Sequence, residues 1–146
     1  MKPTHHVIIS TGVSAVFWWW FKSVPATAVC FLSGIFIDID HHLDYWLIKG
    51  KFPWRYRDLH KFFIEQENRG GPMYLVLHAW EWLIALWLAI FILRLDVVWV
   101  GFAIGLTAHM MADLICNPLK PFGYFITYRW RRAFDSTRIL KPLNQG

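Results

Sequence analysis

Residues 97–116 read VVWVGFAIGLTAHMMADLIC. Twenty residues of this kind match the length an α-helix needs to cross a hydrocarbon core about 30 Å thick. Its only ionisable side chains besides Cys116, His109 and Asp113, come near its end. Their i,i+4 spacing puts both on one helix face. A charged side chain at mid-bilayer costs about 2.5–3.5 kcal/mol on insertion scales, so Asp113 there needs a partner. The stretch therefore reads as a membrane span carrying a polar site at one end.

Three more apolar blocks repeat the pattern, at residues 7–21, 24–37 and 73–93. His5 and His6 precede the first. Asp38, Asp40, His41 and His42 follow the second. His78 and Glu81, spaced i,i+3, open the third. The first two blocks are short and span only if their polar flanks continue the helices. The 146-residue chain is 56% hydrophobic, with ten Trp and twelve Phe, above the roughly 45–50% apolar content of ordinary soluble domains. The expected fold is all-α: an integral membrane four-helix bundle forming one domain, 1–146. Its spans are expected at 5–21, 24–41, 73–93 and 97–117, with a loop at 43–72 and a tail at 118–146. The first block reads as a retained signal anchor, because no small-x-small cleavage site follows Phe21. The two cysteines, Cys30 and Cys116, both fall inside apolar blocks and read as small buried hydrophobes rather than a disulfide framework.

Residues 22–25 and 94–96 make tight connections, so both lie on one side of the membrane. The termini and the long loop lie on the other. Of fifteen Lys and Arg, only Lys22 and Arg94 fall on the hairpin side. The positive-inside rule then puts both termini in the cytosol, in an inner (plasma) membrane. The net charge of +5 becomes a juxtamembrane girdle worth about 1 kcal/mol per residue against anionic headgroups. Membrane lipids are the expected partners, with no nucleic acid. Trp46, Trp54 and Trp130, with residues 18–20 opposite, suit aromatic belts. Residues 59–66 read as a short interfacial helix, 68–72 as a breaker, and the basic tail as lying along the membrane surface.

Imidazoles and carboxylates one helical turn apart are how helical bundles build metal sites. The set contains no thiolate, which suits a divalent metal, zinc first, with Mn, Fe or Ni as alternatives. The ligand residues exceed the four of one tetrahedral ion, so one or two ions are expected. If the second helix continues past Ile37, Asp38 faces the same way as His41 and His42, and Asp40 points elsewhere. If it ends there, Asp40 can turn inward. Asp44 reads as a solvated neighbour. Spacing does not choose between His5 and His6. His42 and His60 are additional candidates, His60 in an exposed loop position. Arg129, Arg131 and Arg132 are candidates for gripping a substrate phosphate, against a topogenic role facing lipid headgroups.

The chain resembles the membrane-bound, metal-dependent hydrolase-like proteins described as LexA-binding and inner-membrane-associated. Members carry an early His in the first helix, Pro-Asp-x-Asp-His after the second, His-Arg-Gly-x-Thr-His before the third, and Gly-Tyr-x-x-His-x-x-x-Asp in the fourth. Here His6 meets the first. Ile37-Asp38-Ile39-Asp40-His41 meets the second without the proline, and Gly105-Leu-Thr-Ala-His109-Met-Met-Ala-Asp113 meets the fourth. The third motif is missing. His60 precedes, and His78-Ala-Trp-Glu81 stands in its place. The resemblance implies His6, Asp38, His41, His78, His109 and Asp113 as metal ligands, and Asp40 or Glu81 as ligand or general base. It also implies a hydrolase using metal-activated water on a phosphoester or acyl ester; a membrane-embedded site favours lipid-like substrates, with a soluble substrate from the cytosol as the alternative. The rival readings are a non-enzymatic membrane adaptor, a metal transporter and, more weakly, a haem protein. The hairpin halves of the spans offer few polar residues beyond Ser10, Thr11 and Ser14, which argues against a transport path.

Overall fold

The computed structural model describes residues 3–141, so Lys2 of the basic girdle lies outside the described residues. The chain is all-α. Its helices are α1 (Pro3–Phe21), α2 (Val24–Phe36), α3 (Ile39–Lys49), α4 (Tyr56–Arg69), α5 (Trp80–Leu93), α6 (Val97–Cys116), α7 (Ile126–Arg131) and α8 (Ser136–Ile139), with a 3-10 turn at Pro121–Tyr124 between α6 and α7. Among the described residues, extended pairing is limited to two isolated bridges, Pro72 with Asp135 and Leu119 with Leu140. The chain divides into two compact units. The first holds residues up to Ile37 and Glu81–Asn117; the second holds Asp38–Trp80 and the residues from Pro118 onward.

In the first unit α1, α2 and α6 pack pairwise against one another. The α2–α6 contact is close because glycine permits it. A Cβ at Gly101 would strike the Ala26 carbonyl, and one at Gly105 would strike the Cys30 carbonyl and the Ser33 hydroxyl. Gly101 and Gly105 thus form the small-xxx-small spacing that lets helix backbones approach closely. Ser33 Oγ bridges the two helices, donating to the Phe102 carbonyl at 3.1 Å. Phe17, Ala26 and Cys30 form the core, with Val13, Val97, Val100 and Ile104 against it. The buried stripe of α1 is His6, Ser10, Ser14 and Phe17, three to four residues apart, as one helix face requires. α5 stands outside that three-way packing and turns most of its large side chains outward, Phe91 being 84% exposed. Trp87 Nε1 ties it to α6 by donating to Thr107 Oγ1 at 3.2 Å. Lys22 and Arg94 close the two interhelix turns in left-handed conformation, each with φ of 51°.

The second unit packs α4 between α3 and α8. Tyr45, Leu59 and Phe62 make its core, with Ile48 and Phe63 alongside. α4 is longer than the helix expected at 59–66. It ends at Gly70, whose φ of 79° suits glycine. The segment after Pro118 packs into this unit. Ser136 donates through Oγ to the Gln66 carbonyl and through its amide to the Gly71 carbonyl, both at 2.9 Å. Met73 N–H donates to the Phe134 carbonyl at 2.8 Å. Asp135 caps α8 by accepting from Thr137 Oγ1 and the Thr137 amide. The Thr137 hydroxyl is the first cause holding the Asp135 carboxyl below its ordinary range.

Two helical stretches are long and apolar enough to cross a membrane, Val24–Lys49 and Val97–Cys116. Trp80–Leu93 is apolar but shorter. The third apolar block therefore departs from expectation, for helix begins at Trp80 and residues 73–79 are irregular. Carboxylates take the amides that a helix would have used. Asp44 accepts from Tyr74 and Leu75 N–H at 2.9 and 3.0 Å. Asp40 accepts from Leu77 and His78 N–H at 2.7 and 3.0 Å.

Candidate metal centre

The first unit gathers His6, His109 and Asp113, exposed by only 3%, 1% and 1%. His6 comes from the first turns of α1. His109 and Asp113 come from consecutive turns of α6, where the i,i+4 spacing stacks them as the sequence dictates. The two imidazoles stack with centroids 3.9 Å apart. Asp113 reaches both rings, Oδ1 lying 3.3 Å from His6 Nε2 and Oδ2 3.5 Å from His109 Nε2. One ligand atom from each of the three lies within 4.8 Å of the others. His109 Nδ1 is 2.8 Å from the Gly34 carbonyl. A carbonyl only accepts, so Nδ1 carries the proton and Nε2 is the nitrogen turned to Asp113.

The second unit gathers Asp38, His41 and His78, whose ligand atoms also lie within 4.8 Å of one another. α2 ends at Phe36 and α3 starts at Ile39, with Asp38 in the turn between. His41 Nε2 lies 3.5 Å and His78 Nε2 3.7 Å from Asp38 Oδ1. The break resolves the two alternatives for α3. Asp38 and His41 share one side, and Asp40, 0% exposed, turns inward to residues 77–78. Its Oδ2 also meets the His78 ring at Nδ1, 3.1 Å away. His78 is held from the other direction as well, because Arg129 Nη2 donates to its carbonyl at 3.1 Å.

Four Nε2-to-carboxylate separations thus fall between 3.3 and 3.7 Å. These are longer than a charge-assisted N–H···O bond, about 2.7–2.9 Å. Two ligands about 2.0–2.2 Å from a tetrahedral ion are about 3.4 Å apart. His6, His109, Asp113 and His78 are buried and Asp38 and His41 part-buried, and imidazole and carboxylate donors at that spacing could hold a metal ion.

Several expected site residues lie elsewhere. His5 and His60 are exposed, His60 beside Tyr56 with ring centroids 5.9 Å apart. His42 stacks on Phe52 at 5.6 Å and joins neither group. His78 and Glu81 do not share a helix, since α5 starts between them, and Glu81 sits half-buried in its first turn. Arg131 and Arg132 are exposed. Arg129 is fully buried on the His78 carbonyl, which removes its guanidinium from any substrate approaching from solvent. Asp44 is not solvated but 0% exposed, held by the Tyr74 and Leu75 amides. Its i,i+4 offset from Asp40 is the one sequence signal that could have paired the two carboxylates.

No family model, curated protein or solved structure matches the chain.

Proposed function

We propose that this chain is a four-span membrane protein and a metal-dependent hydrolase of phosphoesters or acyl esters, with lipid as the natural substrate class. The resemblance to the inner-membrane hydrolase-like family belongs to the same proposal. The observation that carries it is the buried group His6, His109 and Asp113, with its nitrogen–oxygen separations of 3.3 and 3.5 Å. A stacked imidazole pair sharing one carboxylate in an apolar bundle costs desolvation, which a bound cation offsets. Asp38, His41 and His78 would hold a second ion. A divalent ion held by such donors supplies Lewis acidity and lowers the pKa of water toward neutrality, the chemistry ester hydrolysis needs.

The chain's own residues do the rest. The Gly34 carbonyl fixes the His109 tautomer. Asp113 holds both rings at one locus. Glu81, acidic and partly exposed on α5, is the proposed proton acceptor. The membrane assignment is supported by the two long apolar helices and by the apolar side chains that α1, α5 and α6 leave exposed.

Metal analysis of protein purified in detergent tests the reading. Stoichiometric zinc or a similar metal is expected, with at least one equivalent lost on His109→Ala. Absence of bound metal, or metal unchanged by that substitution, overturns it. Hydrolysis is tested on vesicles of defined phospholipid and acyl-ester composition, with and without chelator. The adaptor reading predicts instead that partner binding survives the simultaneous loss of His109 and Asp113.

A further inference from the structure

We propose that Asp40 is a positioning residue for His78 rather than a ligand or general base, and that it sets which nitrogen of His78 faces Asp38. This role deepens the metal reading above and rests on it only for its effect on affinity.

One oxygen of Asp40 receives three donors. They are Leu77 N–H at 2.7 Å, His78 N–H at 3.0 Å and the His78 ring at 3.1 Å through Nδ1. A carboxylate of this kind only accepts, so Nδ1 carries the proton. The opposite nitrogen, Nε2, is then the lone-pair position, and it is the one 3.7 Å from Asp38 Oδ1. The same bonds shape the backbone. With Asp44 holding Tyr74 and Leu75, the two carboxylates of α3 keep residues 74–78 out of helix. Leu75 adopts a left-handed φ of 44° within this segment, a conformation a bulky residue keeps only under outside constraint. Arg129 closes the other side through the His78 carbonyl. His78 is therefore held at its amide, its ring and its carbonyl. The arrangement is the carboxylate–histidine pairing by which proteins fix the tautomer of a metal-binding imidazole. It also explains why an expected acid–base group lies fully buried beneath a backbone segment.

The tautomer can be read in the full-length protein without metal, from nitrogen–proton correlation spectra of histidine-labelled protein in detergent micelles. The unmodified protein is expected to show His78 with Nδ1 protonated. A protonated Nε2 with bare Nδ1 there would overturn the role. Asp40→Ala is expected to release His78 to the other tautomer and to weaken zinc binding about 10–100-fold. Asp44→Ala is the control, because it cuts two bonds to the same segment but none to His78. It is expected to lower thermal stability while leaving tautomer and zinc affinity unchanged. If Asp44→Ala shifts the tautomer as far as Asp40→Ala does, Asp40 acts only as a structural prop and the proposal fails. Absence of zinc binding by the unmodified protein would overturn the metal reading instead, and the tautomer measurement separates the two failures.

Discussion

At the scale of single residues, the two histidine–carboxylate groups share a construction. In each, one imidazole has Nδ1 against an acceptor-only oxygen, the Gly34 carbonyl for His109 and the Asp40 carboxylate for His78. In each, Nε2 then faces the acidic residue of its own group. Asp113 tests the idea most cleanly. Asp113→Asn keeps the shape but removes the charge that would neutralise a cation held by the two Nε2 atoms. The expected outcome is loss of bound metal with the fold retained, read by metal analysis beside circular dichroism. Metal retained at the original stoichiometry would contradict ligation by Asp113. His109 and Asp113 were legible in the sequence because their spacing matches the helix on which they lie. The burial of Asp44 and the main-chain partners of Asp40 and Asp44 were not. Their partners are backbone amides thirty or more residues away, and no spacing along α3 announces a main-chain donor.

At the scale of elements, composition alone marked the apolar blocks as helical, and the correction at residues 73–79 shows its limit. Met73, Leu75, Val76 and Leu77 are as apolar as the helix that follows, so hydropathy drew one span across both. The amides of this segment found carboxylates instead. Asp44→Ala would leave the part-buried Tyr74 amide and the buried Leu75 amide without their acceptor, at about 1–3 kcal/mol for each donor. The expected result is a melting temperature lower by on the order of 10 °C, and an unchanged value would mean the two bonds contribute nothing net. The α2–α6 seam gives the opposite kind of test. Gly105→Val drives a side chain into the Cys30 carbonyl, which is backbone and does not swing away. Overpacking of this sort costs about 1–3 kcal/mol, and more where backbone must move. Gly12, with nothing near its Cβ position, is the matched control. Gly12→Ala is expected to leave the melting temperature unchanged or slightly raised, whereas Gly105→Val lowers it clearly.

At the scale of the whole molecule, the proposed orientation in a membrane rests on charges that no packing contact reveals. Each hairpin turn offers one basic residue, Lys22 or Arg94, while the loop, the tail and the N-terminal segment hold the other thirteen of fifteen. Translocating that larger set would oppose both the positive-inside bias and the attraction of anionic headgroups. Lys22 also has its ammonium 4.9 Å from the Trp19 ring centroid, and in the proposed topology that pair would lie at the headgroup layer. A chain with Cys30 and Cys116 replaced by Ala, carrying a single new cysteine, reports its sidedness. In intact spheroplasts a membrane-impermeant maleimide is expected to label Lys22→Cys and Arg94→Cys directly, and Lys51→Cys only after lysis. The reverse pattern would invert the topology. Equal labelling at all three positions, with the protein in the soluble fraction, would remove the membrane altogether. The exposed rings of Trp19, Trp20, Phe91 and Trp99 would then need a protein partner to cover them, because an apolar surface of that extent does not persist in water uncovered.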